Sequence, residues 1–422
     1  MIGFVEYTTH VPSQRARSSQ VYHFVSDKIA TPILRKTCDP EVAHNLALQL
    51  AQAGLAVRHR SCSLEQQLSL ESTLTYDTPS SKSNTKQHTL IFPNPIGLAA
   101  GFDKDGIAIS ALLEMGFGSV EIGSVTPKAQ PGNPKPRMFR LVEDKALINR
   151  YGFNSQGANI VEENLKSFRR AQTENATLSE QPTSPLLNSF LSWILPPVQP
   201  KAKGLLGINI GKNKTTQDAK VDYVQNIEQL GPYADYLVIN ISSPNTPNLR
   251  DLQKADALSE LVQACLNARN ALPKPVPLLV KISPDLTDAE LQSMIPTLHK
   301  VDGVVVTNTT NARPTSLVST NQNEIGGLSG APLKDKSTEM IRKLYAWTKG
   351  RVFIIGVGGV GSGQDAYEKF KAGASIVQIY SMMIYEGPGV VSRIRQDVAL
   401  LMKHDGYRSL SKDIIGRDHD QE

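Results

Sequence analysis

The chain reads as an α/β protein in which eight parallel strands close into a (β/α)8 TIM barrel, behind a small N-terminal helical hairpin. Three observations point there. Apolar runs of strand length recur eight times from about Thr89 onward, helical segments separate them, and each run breaks into glycine or polar residues at its carboxyl end. Eight strand–helix units suit a closed barrel better than a doubly wound sheet, and 422 residues accommodate one barrel plus an accessory piece.

The N-terminal segment, 1–76, carries two short amphipathic helices between residues 20 and 57. In the first, Val21, Val25 and Ile29 recur at helical spacing with Phe24 and Ile33 beside them, and Pro32 is expected to kink or end it. The second starts at Asp39-Pro40, an N-cap followed by proline in the first turn, and stops near Gly54. Its apolar face is expected to be Val42, Ala43, Leu46, Leu50 and Ala51. Lys28, Arg35, Lys36, Arg58 and Arg60 flank the pair, which suits either an anionic membrane surface or packing on the main domain. The residues alone favour packing. A linker follows at 77–88, rich in Ser, Thr and Lys, before the barrel at 89–415.

The strands are expected at 95–101, 119–124, 205–211, 235–242, 277–283, 303–309, 353–359 and 375–381. Helices are expected at 105–116, 155–170, 216–231, 256–271, 287–299, 334–348, 362–372 and 388–403. An insertion at 171–203 reads as a surface protrusion whose apolar part holds Phe190, Trp193 and Ile194. The sixth loop, 313–330, is long enough to form a lid.

Composition narrows the function. Hydrophobic residues make up 40% and charged residues 20%, as in a globular protein with a large core, and a net charge of +5 without basic runs argues against nucleic acid. Cys38, Cys62 and Cys265 form neither a disulfide framework nor a metal spacing, and the eight histidines lack an HExxH pair, so no metal is expected. No run approaches the ~18 apolar residues of a spanning helix, and the first twenty residues lack a signal peptide's apolar centre.

The chemistry collects at the strand ends. Gly101-Phe102-Asp103-Lys104, Ser124, Asn209, Asn240–Asn245, Lys281, Thr307-Asn308-Thr309, Gly358-Gly359 and Tyr380-Ser381 would share one rim of a barrel. With Asn149, five uncharged amides and two lysines converge there. The glycine run Gly356–Gly361 formally matches a dinucleotide fingerprint, but Tyr380-Ser381 stands where an acidic residue is expected. A mononucleotide phosphate site fits better. Lys281 has three readings: a Schiff-base nucleophile, a charge beside a cofactor, or a structural partner for a carboxylate.

The motifs NPIGLAAGFDK, EIGSVTPKAQPGNPKPRMFRL, INRYGFNSQG, GINIGKNK, NISSPNTPNLR, VKISPDLT, VTNTT, GGLSG and IIGVGGVGSGQDAYEKFKAGAS together resemble dihydroorotate dehydrogenase. The resemblance is to its class 2, membrane-associated, quinone-dependent branch, and runs from about Val21 to Ile415. It implies FMN as cofactor, oxidation of dihydroorotate to orotate in pyrimidine biosynthesis, and ubiquinone as acceptor. It implies Ser243 as the base, aided by a water between Ser243, Thr246 and Phe153. Substrate positions would be Lys104, Asn149, Tyr151, Gly152, Phe153, Asn240, Asn245, Asn308 and Thr309. Cofactor positions would be Ala99, Ala100, Gly123, Ser124, Asn149, Asn209, Asn240, Lys281, Thr307, Ser329, Gly330, Gly358, Gly359, Tyr380 and Ser381.

The resemblance also turns the N-terminal hairpin into the mouth of a quinone tunnel resting on the membrane, with Leu34, Arg35, His44, Arg140 and Tyr380 along it. Arg35 departs from a glutamine in the vertebrate pattern, and Ser381 from a threonine. The implied location is peripheral at the mitochondrial inner membrane, or alternatively the bacterial cytoplasmic membrane. Eukaryotic members have a presequence and one spanning helix upstream, so an incomplete N-terminus is expected. The rival readings are a flavin barrel with a different, cytosolic acceptor and a Lys281 Schiff-base aldolase.

Overall fold

The computed structural model describes residues 25–55, 63–79, 85–179 and 204–419. An antiparallel hairpin, β1 (Ser72–Pro79) and β2 (Thr85–Phe92), precedes the first two barrel strands, β3 (Ile96–Leu98) and β4 (Ser119–Val125). An excursion, β5 (Met138–Leu141) and β6 (Ala146–Asn149), follows. Then come β7 (Leu205–Ile210), β8 (Tyr236–Asn240), β9 (Leu278–Ile282) and β10 (Gly303–Val306). The strand β11 (Gly327–Gly330) pairs back onto β6, and β12 (Phe353–Val357) and β13 (Ile376–Ile379) complete the barrel. The closed order is β10-β12-β13-β3-β4-β7-β8-β9, all parallel.

All eight expected strands are present; seven are shorter at their polar ends, and β4 runs one residue further, to Val125. A helix stands after each, from Ile109–Glu114 to Gly389–His404. The reason for near-continuous apolar runs is visible in β8. Leu237 and Ile239 pack outward among the helices, whereas Tyr236 and Val238 pack inward. The same alternation turns Leu279, Val305, Phe353, Ile355 and Ile376 into the barrel interior.

The stretch expected as a linker, 77–88, is not one. Its described residues end β1 and begin β2. The hairpin closes the amino-terminal end of the barrel, because Leu74 and Phe92 join the interior cluster. Phe92 stacks against Phe353 at 5.4 Å and tilts against Tyr236 at 5.7 Å. Polar composition hid this, since the strands alternate: Leu74 and Phe92 face in while their Thr, Lys and Gln neighbours face water.

The N-terminal helices differ from expectation in two ways. Pro32 does not end a helix; it sits in the first turn of Thr31–Thr37, after a wider turn at Val25–Ala30, where its missing N–H is not needed. Residues 20–24 of that expected helix lie outside the described residues. The helix Pro40–Leu50 is capped as expected, Asp39 accepting from the N–H of Glu41 (2.9 Å) and Val42 (3.2 Å). Its buried side, however, is Glu41, His44 and Leu48. Val42 is 55% exposed and Leu50 40%. Glu41 faces inward because Arg137 holds its carboxylate through two hydrogen bonds, at 2.8 and 3.1 Å.

The helix Ala158–Ser179 runs into the start of the expected insertion; residues 180–203, with Phe190, Trp193 and Ile194, lie outside the described residues. The expected lid is partly sheet: β11 belongs to it, and Arg313 staples the rest by donating to the carbonyls of Gln322, Glu324 and Gly326.

Closing the barrel floor with Phe92 gives a first prediction. Phe92→Ala should lower the unfolding free energy by about 3–5 kcal/mol, read from the midpoint of urea denaturation. An unchanged midpoint would mean that the hairpin contributes no packing.

Candidate active site

The inward alternation that builds the floor also builds the site. Along the strands the inward positions change from apolar to polar toward the carboxyl ends, at Glu121, Asn209, Asn240, Lys281 and Gln378. Glu121 is fully buried and accepts from Asn209 Nδ2 at 2.8 Å and from Gln378 Nε2 at 2.7 Å. The amide oxygen of Asn209 accepts from the Ser124 hydroxyl and, at 3.2 Å, from Asn240 Nδ2. The amide oxygen of Asn240 in turn accepts from Asn308 Nδ2 (3.2 Å) and Ser242 Oγ (3.1 Å). Lys281, adjacent to Asn240 in register, is buried, and burial depresses its pKa while Glu121 counters that shift.

These groups open onto one cavity of about 1070 Å³, including its open mouth. Its walls carry Lys281, Asn240, Asn308, Ser243 and Asn245 together with Ala99, Ala100, Gly123 and Ser124. Thr307 and Thr309 line it too. Asn209 stands one layer behind the wall, holding Ser124 and Asn240.

Ser243 lies in the loop after β8 and is 7% exposed; its Oγ accepts from the Asn245 N–H at 3.3 Å. Arg250 fixes this loop against its neighbour, donating to the Ser242 carbonyl (3.1 Å) and the Thr309 carbonyl (3.1 Å) and pairing with Asp285 (2.9 Å). The Thr246 hydroxyl is buried without a hydrogen-bond partner among the described residues. Phe153 has φ +55° and packs its ring over Gly211, where an added Cβ would meet it at 2.9 Å. Gln130 Nε2 donates to the Phe153 carbonyl at 2.8 Å.

The opposite wall comes from the loop after β3 and from the excursion. Asp103, fully buried, accepts from the N–H groups of Gly106, Ile107 and Ala108 at 2.8–3.0 Å, which folds the loop and presents Lys104. The Lys104 ammonium stands 4.1 Å from the centre of the Tyr151 ring. Burial draws its pKa down to about 8 against the opposing pull of Asp105 and Glu41. Asn149 ends β6, and its carbonyl accepts from Asn245 Nδ2 at 3.0 Å. Tyr151, Gly152 and Phe153 continue along the same wall.

At the far end lie Gly358 and Gly359, with φ of +120° and +70°. A Cβ on Gly359 would strike Lys334 Cα at 2.5 Å, so only glycine permits this turn. Ser329 and Ser381 share a hydrogen bond at 3.0 Å, and Gly330 closes the rim.

A second cavity lies under the N-terminal helices, lined by Leu34, Arg35, Ala43, His44, Phe102 and Arg140, among others. His44 donates from Nε2 to the Phe102 carbonyl at 2.6 Å, which leaves its buried Nδ1 unprotonated and without a partner among the described residues. Burial, with Lys104 nearby, pushes its pKa down to about 3, so the ring is neutral. Arg140 donates to the carbonyls of Arg35 (3.0 Å) and Cys38 (2.9 Å), and its Nε is buried without a partner among the described residues. Arg35 donates to the Tyr385 carbonyl at 2.8 Å. Tyr380 connects the cavities: it lines the first and lies 6.4 Å from the His44 ring and 5.8 Å from Phe102.

The inward carboxylate Glu121 and its partner Gln378 escaped notice in the sequence, although each is a lone polar residue at an inward position of an apolar strand. Arg250 also escaped, because its role depends on contacts across the rim that spacing does not reveal; Asp103 was placed at the rim, but its part in folding the loop that presents Lys104 was not read. Among the described residues no cluster of His, Cys, Asp or Glu is arranged to hold a metal.

Comparison with known proteins agrees with this geometry. The family profile for dihydroorotate dehydrogenase matches residues 83–402. The mouse protein named dihydroorotate dehydrogenase (quinone), mitochondrial, is 44% identical over 94% of this chain and 91% of its own length. The Rhodospirillum rubrum dihydroorotate dehydrogenase (quinone) is 44% identical over 90% of this chain and 92% of its own. A crystal structure of the Eimeria tenella enzyme in complex with ferulenol superposes with a TM-score of 0.76 at 38% identity, covering 90% of this chain and 96% of that one. Barrel and relatives concur, and the chain belongs to the dihydroorotate dehydrogenase family, in its class 2 branch.

Proposed function

We propose that this chain oxidises dihydroorotate to orotate, a step of pyrimidine biosynthesis, with FMN bound in the barrel mouth and ubiquinone as electron acceptor. One observation carries the reading: Ser243, Lys281 and the asparagine amides share one cavity, and Tyr380 on its wall lies 6.4 Å from His44, which lines the second cavity under the N-terminal helices.

The residues fit FMN. Ala99, Ala100 and Gly123 offer a small-residue floor to a flat ring, the Gly358-Gly359 turn and Ser381 suit a phosphate, and Lys281 suits the electron-rich edge of the ring. Bound there, FMN would supply the two-electron acceptor for the substrate's hydride and a route onward to quinone.

The protein's own groups do the rest. Ser243 Oγ removes the C5 proton of dihydroorotate. A serine is a weak base, so the Asn245 N–H that donates to Oγ stabilises developing negative charge, and the unpartnered Thr246 hydroxyl supplies the next stage of a proton relay. Asn149, Asn245 and Asn308 each donate and accept, which matches a planar ring bearing alternating N–H and C=O groups. Lys104 pairs with the substrate carboxylate.

The apolar side of the N-terminal helices supports a peripheral seat on a membrane. Ile33 is 54% exposed and Val42 55%, with Val25, Ile29 and Leu50 also exposed. No helix among the described residues is long and apolar enough to cross a bilayer. The mouse and Arabidopsis relatives are named mitochondrial, and we place this chain at the mitochondrial inner membrane, with a bacterial cytoplasmic membrane as the alternative.

Two measurements test the chemistry. Ser243→Ala should retain FMN yet slow flavin reduction by dihydroorotate roughly 10²–10⁴-fold near neutral pH, followed by stopped-flow absorbance. Reduction at the wild-type rate would remove Ser243 from the mechanism. Lys104 titrates near 8 in the free protein, so kcat/KM for dihydroorotate should fall as pH rises through about 8 and the ammonium is lost. Lys104→Met should lower kcat/KM by roughly 10–100-fold at pH 7 and abolish that alkaline limb. The same limb in both proteins would show that Lys104 does not meet the carboxylate.

A further inference from the structure

Behind the Gly358-Gly359 turn lies a cation that none of these steps uses. Lys369, on the helix Gly363–Lys371, is fully buried. Its ammonium donates to the hydroxyls of Ser337 and Thr338 and, at 3.2 Å, to the carbonyl of Lys334. All three acceptors are neutral. A buried ammonium held only by neutral oxygens carries a large desolvation cost, which a nearby negative charge would offset.

The protein's own acids offset it little. Asp365 and Glu368 on the same helix, and Asp335 on the neighbouring one, face the region, but each lies 3.5–3.8 Å from the Lys334 ammonium, which itself opposes Lys369. Burial accordingly draws Lys369 down to about 7. Its position is specific. The Ser337 hydroxyl that accepts from Lys369 donates to the Gly358 carbonyl at 3.2 Å. The lysine stem passes beneath Gly356, where an added Cβ would lie 3.4 Å from Lys369 Cδ. The ammonium therefore stands two hydrogen bonds behind the turn assigned to the cofactor phosphate.

We infer that Lys369 is a positioning residue for that phosphate, a buried cation whose charge favours a dianion at the Gly358-Gly359 turn without touching it. The inference rests on the FMN reading. A dianion bound at the turn raises the Lys369 pKa, so by linkage the protonated protein binds FMN more tightly. Affinity for FMN is then highest near neutral pH and falls as pH rises past 7. Riboflavin, which lacks the phosphate, escapes the effect.

Dissociation constants of FMN and riboflavin, measured by flavin fluorescence on the stripped and reloaded full chain from pH 7 to 9, test this. The phosphate is already a dianion across that range. The wild-type constant for FMN should rise roughly tenfold while that for riboflavin changes less than about twofold. Lys369→Gln, which keeps a hydrogen-bond donor but no charge, should weaken FMN about tenfold at pH 7, spare riboflavin, and flatten the FMN curve. Equal weakening of both flavins, or unaltered FMN binding, would overturn the proposal. Should the variant fail to fold, the wild-type curves decide: divergence supports the role and parallel curves overturn it. A wild-type chain that takes up neither flavin would sink the cofactor reading beneath it.

Discussion

The orientation of the whole rim depends on one buried carboxylate. Both carboxylate oxygens of Glu121 accept hydrogen bonds, and Asn209 and Gln378 turn their NH2 groups toward it. That leaves the Asn209 oxygen to accept from Ser124 and Asn240, and the Asn240 oxygen to accept from Ser242 and Asn308. Each amide's direction follows from the one before it. A network ordered in this sequential way is rigid, because reversing the Asn209 or Asn240 amide would break its bonds to the neighbours on both sides. The rim is thus organised before any ligand arrives, which an electrostatic site requires.

Much of this was legible in the sequence, for a physical reason. A strand buried on both faces must be apolar throughout, so eight apolar runs marked eight barrel strands, and the abrupt polar ending of each marked the rim. Ser243, Lys281 and the asparagines were found that way. What stayed hidden belonged to contacts between distant segments. The tip of the hairpin, 77–88, looked like a polar linker, because only alternate residues of its strands, such as Leu74 and Phe92, touch the core. Val42 looked buried because it is apolar, yet the pairing of Glu41 with Arg137 turns the helix the other way. The strands β5, β6 and β11 were missed because four-residue strands carry too little periodicity to register.

The inverted helix Pro40–Leu50 connects stability with the proposed function. Glu41 and His44 are consumed by the barrel together with Leu48, while Val42 and Leu50 are left outside. Glu41 locks the helix to Arg137, while His44 reaches Phe102 and approaches Tyr380. The His44–Phe102 contact that helps to anchor the helix therefore also lines the second cavity. Neutral His44 lines it with apolar Leu34, Ala43 and Phe102, in keeping with passage of electrons to a lipid-soluble acceptor, and Arg35 and Arg140 supply its charged groups.

The most direct measurement is the absorbance spectrum of the purified full chain, before and after anaerobic dihydroorotate and then a short-chain ubiquinone. The predicted result is a flavin band that bleaches with dihydroorotate and returns with quinone. A protein that is colourless after reconstitution with FMN, or a flavin band that dihydroorotate leaves unchanged, would contradict the reading of this rim as a dihydroorotate-oxidising flavin site.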